Sequence, residues 1–164
     1  LELPKVKFEI HFERGELSAN GFDKVEFLIS TNISEGLKPL AKVASGGEIS
    51  RVMLAIKAIF AQSDDIDTVI FDEIDTGISG KASQSVADEI KALAQYHQII
   101  LITHQPIIAS KADKHFYVRK SQSDETKVEV YVLTGENRIK ALAELAGGDI
   151  NEQSIEFAKS LVNA

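Results

Sequence analysis

Thr68-Val69-Ile70-Phe71-Asp72-Glu73 is the stretch that decides the fold: β-branched and aromatic residues in an unbroken run, closed by two adjacent carboxylates. A short continuous run of this kind is the pattern of a parallel strand covered on both faces; a surface strand alternates apolar and polar residues instead. A second run, Ile99 to Thr103, ends in His104. Between the two, Ala82, Val86, Ile90 and Leu93 mark one face of a helix over about 81–96. Strand, helix and strand in that order predict a right-handed parallel crossover, which brings Asp72, Glu73 and His104 to one sheet edge. Ligands of open α/β sheets bind at that carboxyl edge. Adjacent positions on a strand face opposite sides. One carboxylate is therefore expected to hold a divalent cation such as Mg²⁺, which needs few protein ligands. The other is expected to face a water.

Working upstream, Ile49, Val52, Met53, Ile56, Ile59 and Phe60 fall at helical spacing and predict a helix over 46–62, buried on most sides because Leu54 and Ala55 widen its apolar surface. It opens with Ser45-Gly46-Gly47-Glu48. Ser45 and Glu48 have the spacing of a capping box. The two glycines each cost about 1 kcal/mol of helix propensity, and a plain cap does not need them. A bare first turn exposes free N–H groups at the positive end of the helix dipole, an anion site, and close approach of a phosphate accounts for the glycines.

Each string also has a plain structural reading: a capped helix, a buried strand ending in solvated acids, a lone histidine after a strand. The shared edge raises His104 above that reading. His11, His97 and His115 have no comparable setting and read as surface residues. Gly77-Ile78-Ser79-Gly80-Lys81-Ala82 superficially resembles a phosphate loop. It has two residues between its glycines where four are needed, and Ala where Ser or Thr should follow Lys. It is rejected.

Toward the N-terminus, Val6, Phe8, Ile10 and Phe12 alternate with polar residues, predicting a strand with one wet face, then a loop over 13–21 and a strand over 25–30. Residues 31–44 read as irregular. Downstream, a short helix at 106–111, a hairpin of strands near 115–120 and 127–133 at a sheet edge, and helices over 137–146 and 152–162 complete the chain, with Gly147-Gly148 as the stop between the last two.

The 164 residues, 44% hydrophobic, suffice for one domain with a real core, here 1–164. There is no cysteine, which excludes disulfides and thiolate metal sites and fits a reducing compartment. No segment has the length of a membrane span. The first residues carry no signal-peptide pattern and begin with Leu1, as expected of a piece of a longer protein. The net charge is −7, from 18 basic and 25 acidic residues. An acidic domain is a poor general binder of nucleic acid, whose affinity comes from Lys and Arg on phosphates. Any DNA contact is expected to be local or to lie elsewhere in a longer protein.

The order of these strings carries a resemblance. Ala44 to Arg51 (Ala-Ser-Gly-Gly-Glu-Ile-Ser-Arg) resembles the signature motif of ABC-type ATPases, Ile70-Phe71-Asp72-Glu73 their Walker B, and Ile102-Thr103-His104 their switch histidine. The longer strings Pro39–Glu48 and Phe71–Gly80 are similar to those of the RecN family, SMC-like bacterial DNA-repair ATPases. The likeness covers about 20–150 and is strongest over 39–104. It implies an α/β, P-loop NTPase-like fold: the C-terminal lobe of an ATPase head, a mainly parallel sheet flanked by helices with an edge β-hairpin. The N-terminal lobe of such a head, with Walker A and the Q-loop, lies beyond a long coiled coil. By this resemblance Ser45, Gly46, Gly47 and Glu48 contact ATP held by a second head, Asp72 binds Mg²⁺, Glu73 activates water and His104 senses the γ-phosphate. Ser79 stands where many ABC proteins have a D-loop Asp, a place Asp75 is expected to fill.

The implied function is ATP hydrolysis in DNA double-strand-break repair and recombination, with an ATP-dependent homodimer of heads and DNA reached through the full-length protein. The implied location is cytoplasmic and nucleoid-associated, without a membrane. Alone, the fragment is expected to be inactive. The alternatives are a head lobe of another SMC-type ATPase, a self-sufficient metal-dependent hydrolase using Asp72, Glu73, Asp75 and His104, and a non-catalytic interaction module.

Overall fold

The computed structural model describes residues 6–30, 36–43, 46–61, 63, 65–122 and 126–163. Strands β1 (Lys7–Ser18) and β2 (Gly21–Ser30) form a long antiparallel hairpin, to which the two-residue β3 (Lys38–Pro39) adds on β2. Helix α1 (Leu40–Val43) precedes α2 (Gly46–Phe60). Then come β4 (Thr68–Phe71), α3 (Lys81–Leu93), β5 (Gln98–Leu101), α4 (Pro106–Ser110), the hairpin β6 (His115–Gln122) and β7 (Thr126–Leu133), and helices α5 (Gly135–Gly147) and α6 (Glu152–Val162).

β4 begins and ends where its composition changes, and it pairs in parallel with β5 in the register Thr68↔Gln98 to Phe71↔Leu101. The expected crossover through α3 is therefore present. Val69 and Phe71 of β4, with Ile99 and Leu101 of β5, face the main core, which α2, α3 and α4 complete with Leu54, Val86, Leu93 and Ile108, and the turn after β4 with Ile74. A second cluster, Ala109, Leu142, Ala143 and Ala158, joins α4 to α5 and α6. Asn151 caps α6 by a reciprocal pair of bonds with Ser154.

Four expectations need correction. A mainly parallel sheet does not form among the described residues: parallel pairing is confined to β4–β5, while β1–β2–β3 and β6–β7 pair antiparallel as separate sheets. Nor is β4–β5 covered on both faces, since Ile70, Ile100 and Ile102 are 64%, 47% and 58% exposed. An apolar run shows that a strand can be buried twice; the cover on the second face must come from other elements. For the same reason α2 is buried on one side, with Met53, Ile59 and Phe60 exposed. The expected loop over 13–21 is strand as far as Ser18 and again from Gly21, carried past Gly15 by a register shift between Arg14 and Ser18.

The hairpin over 115–133 forms, but among the described residues it is a two-stranded sheet of its own and not the edge of a larger one. No helix among the described residues is long and apolar enough to cross a membrane.

Candidate functional site

Ile102 N–H donates to the carbonyl of Phe71 at 3.0 Å, extending the parallel ladder one step past the strands. This bond holds the two exits side by side. The chain beyond β4 then turns sharply. Glu73 adopts φ 57°, the left-handed region that non-glycine residues seldom occupy, and its carbonyl accepts from Thr76 N–H at 3.1 Å. Asp72 and Glu73 are exposed, Ile74 and Asp75 are buried, and Thr76 is exposed. The strict alternation expected of a strand therefore stops at Phe71, and both acids face solvent from a turn.

Two elements hold this acid loop. On one side stands α2: Ser50 Oγ donates to the carbonyl of Asp72 at 3.0 Å, and Arg51 Nη1 donates to those of Ile74 at 3.0 Å and Thr76 at 2.9 Å. Arg51 is buried, and so is Gly47. A β-carbon on Gly47 would lie 2.7 Å from the carbonyl oxygen of Glu73 and 2.9 Å from Thr76 Cβ. The backbone that Gly47 approaches is thus its own acid loop, which gives this glycine a structural reason beside the expected phosphate contact. Ser45 lies outside the described residues. Gly46 opens α2, and the side chain of Glu48 is not among those described.

On the other side stands the turn after β5. Asp75 Oδ2 accepts from Thr103 Oγ1 at 2.5 Å, His104 N–H at 2.8 Å and Gln105 N–H at 3.2 Å. Gln105 Nε2 donates to the carbonyl of Ile78 at 3.2 Å. His104 Nδ1 lies 3.1 Å from Asp75 Oδ2, with the His104 side chain 67% exposed. Asp75 is 1% exposed and committed to this turn, so the expectation that it reaches a second molecule in place of a D-loop Asp is corrected. Ser79 is exposed just before α3, with its carbonyl accepting from Ala82 N–H.

The site therefore gathers Asp72, Glu73, Asp75 and His104 at one edge, as the crossover predicts, with Gly47 behind the acids. Sequence reasoning passed over Ser50, Arg51, Thr103 and Gln105. The signal for Arg51 was a guanidinium amid the apolar residues of α2. His97 also needs correction: it is buried, with Nδ1 2.6 Å from the carbonyl of Ile66, and ties the turn before β5 to the segment before β4. His115 is half-buried and His11 exposed.

A single exposed carboxylate of Asp72 fits a hard cation that fills its shell with water and phosphate oxygens. Among the described residues no group of three or more His, Asp or Glu could form a protein-only metal cage.

No protein-family model matches the chain. It is 41% identical over 170 aligned positions to the DNA repair protein RecN of Halalkalibacterium halodurans, taking in 99% of this chain and 30% of that protein. To the DNA repair protein RecN of Treponema pallidum it is 45% identical over 146 positions, 88% of this chain and 26% of that protein. The chain thus spans 26–30% of the length of these curated relatives. Among solved structures it is similar to the Smc head domain with a coiled coil and joint from Pyrococcus yayanosii, at a TM-score of 0.63 and 26% identity over 88% of this chain and 26% of that one.

Proposed function

Over the part of those proteins that it spans, the chain belongs to the RecN family of DNA repair proteins, and from that premise we propose that it is the C-terminal lobe of an ABC-type ATPase head. In this reading it supplies the hydrolytic acids to ATP whose main cradle lies on another lobe. The carrying observation is the parallel register of β4 and β5, which sets Asp72 and Glu73 beside His104. Exposed apolar faces support a missing neighbouring lobe: Ile70, Ile100 and Ile102 on β4–β5, and Phe8, Ile10, Phe12, Val25 and Phe27 on β1–β2. Burial of such side chains is worth roughly 1.5–3 kcal/mol each, so a lobe docked there would gain much by covering them.

Asp72 offers its carboxylate to Mg²⁺, which when bound neutralises charge developing on the phosphate oxygens. Glu73, exposed on its turn, takes the proton of the attacking water; a positioned base of this kind contributes about 10²–10⁴ in rate. His104 meets the terminal phosphate or that water. Gly46, Gly47 and Glu48 at the start of α2, with Ser45 preceding them in sequence, are assigned to ATP bound by a second head, and Ser79 to the contact between heads. ATP then acts as an adhesive between two heads of a homodimer, and hydrolysis releases them. DNA repair and recombination, with DNA engaged through the rest of the protein in the bacterial nucleoid, complete the proposal.

A self-sufficient metal-dependent hydrolase is disfavoured, because Asp75 is committed to the Thr103–Gln105 turn and no ligand cage is found among the described residues.

The test joins this chain to a Walker A lobe. Glu73→Gln should preserve ATP-dependent pairing of heads by light scattering while turnover falls at least ~10²-fold. Undiminished turnover would remove Glu73 as the base.

A further inference from the structure

Asp75 is the one acid of the site that neither the cation nor the water uses, and it is the one that is buried. A buried carboxylate is costly unless it is hydrogen-bonded. Here one oxygen receives three donors from consecutive residues: the Thr103 hydroxyl and the N–H groups of His104 and Gln105. The same oxygen stands 3.1 Å from His104 Nδ1. At that distance from an anion an imidazole nitrogen is favoured in its protonated form, since a bare lone pair there would oppose the lone pairs of the oxygen. The partner of one ring nitrogen decides the role of the other.

We propose that Asp75 is the positioning residue of His104: it fixes the Thr103–Gln105 turn and selects the tautomer protonated at Nδ1, so that Nε2 is the nitrogen a ligand meets. The chemical consequence is specific. A neutral His104 held in this way presents an acceptor at Nε2, suited to a proton of the attacking water. It donates to a phosphate oxygen from Nε2 only as the doubly protonated ring. Asp75 lies two residues beyond Glu73, and Gln105 Nε2 reaches back to Ile78. The base and the histidine are thereby fixed on one hydrogen-bonded unit. The ligand in this account rests on the function proposed above; the tautomer is a property of this chain alone.

The experiment has two arms. In the unliganded chain, long-range ¹H–¹⁵N correlation spectra above the ordinary histidine range should show His104 predominantly protonated at Nδ1. Asp75→Asn, with an unchanged circular dichroism spectrum, should shift that population toward Nε2. Predominant Nε2 protonation in the unsubstituted chain would overturn the proposal whether or not the variant folds, and so would an unaltered ratio in a folded Asp75→Asn. In the head rebuilt with its Walker A lobe, Asp75→Asn should lower turnover about 10- to 100-fold, as loss of an orienting partner does at comparable sites. In a His104→Gln background it should add almost nothing. Fully additive losses would show that Asp75 acts on something other than His104. A rebuilt, ATP-paired head with no turnover at all would refute the ATPase reading and leave the tautomer result standing.

Discussion

Gly47 on α2 and Glu73 after β4 meet backbone to backbone: a β-carbon on the glycine would lie 2.7 Å from the glutamate carbonyl oxygen. The helix that opens with the glycine pair and the turn that carries the acids are therefore one mechanical unit. Ser50 and Arg51 bind the same turn through the carbonyls of Asp72, Ile74 and Thr76.

Gly47→Ala tests that contact. In an ordinary helix this change gains about 1 kcal/mol of propensity. Here the methyl group has no room, and overpacking against a fixed carbonyl costs about 1–3 kcal/mol. Urea unfolding should show a net loss of stability, and a gain would mean that the helix start stands clear of the loop.

Arg51→Met keeps much of the side-chain volume and removes the donor to two carbonyls. Hydrogen bonds from charged donors are worth about 1.5–3 kcal/mol each, so a loss of about 3 kcal/mol is expected. Amide hydrogen exchange should quicken over residues 72–78 before it quickens in α5 and α6. Uniform acceleration across the chain would show that Arg51 does not act locally.

Glu73→Gly separates stability from chemistry. Glu73 holds a left-handed φ of 57°, which costs a non-glycine residue about 1–2 kcal/mol, partly offset by the greater freedom of glycine in the unfolded chain. The variant should be equally stable or up to ~1 kcal/mol more stable, yet inactive in a rebuilt head. A clear destabilisation on thermal unfolding would contradict the strain.

His115 makes stability depend on pH. Burial, and then the neighbouring Arg138 guanidinium, hold its imidazole below the ordinary 6.5. The unfolded chain therefore binds the proton first as pH falls. The contribution is fully present above pH 6.5 and is lost as pH drops through the lower folded value. His115→Gln should flatten the fall in Tm over that window, and NMR titration of His115 should give a midpoint below 6.5. A midpoint above it would reverse the sign.

Much of the site was legible because it depends on local pattern and on the parallel return of one crossover. β4 spans Thr68–Phe71 as its composition indicates, α2 begins at the glycine pair, and the β4–α3–β5 order places His104 beside the acids. The assignments that failed concern partners distant in sequence. Asp75 reads as one more exposed acid until the 103–105 turn closes over it. His97 reads as a surface residue until the Ile66 carbonyl reaches it, and the 73–76 turn adds a packing reason for Gly47 that its place at a helix start does not show.

The sequence by itself determined the strands and helices from Gly46 onward, and that acids and histidine finish at one edge, because hydrophobic periodicity and a strand–helix–strand order are properties of neighbouring residues. Only the tertiary structure decided which of those acids is solvent-facing and which is enclosed, because burial and hydrogen-bond partners are set by segments 22 to 30 residues apart that pack together only in the folded chain.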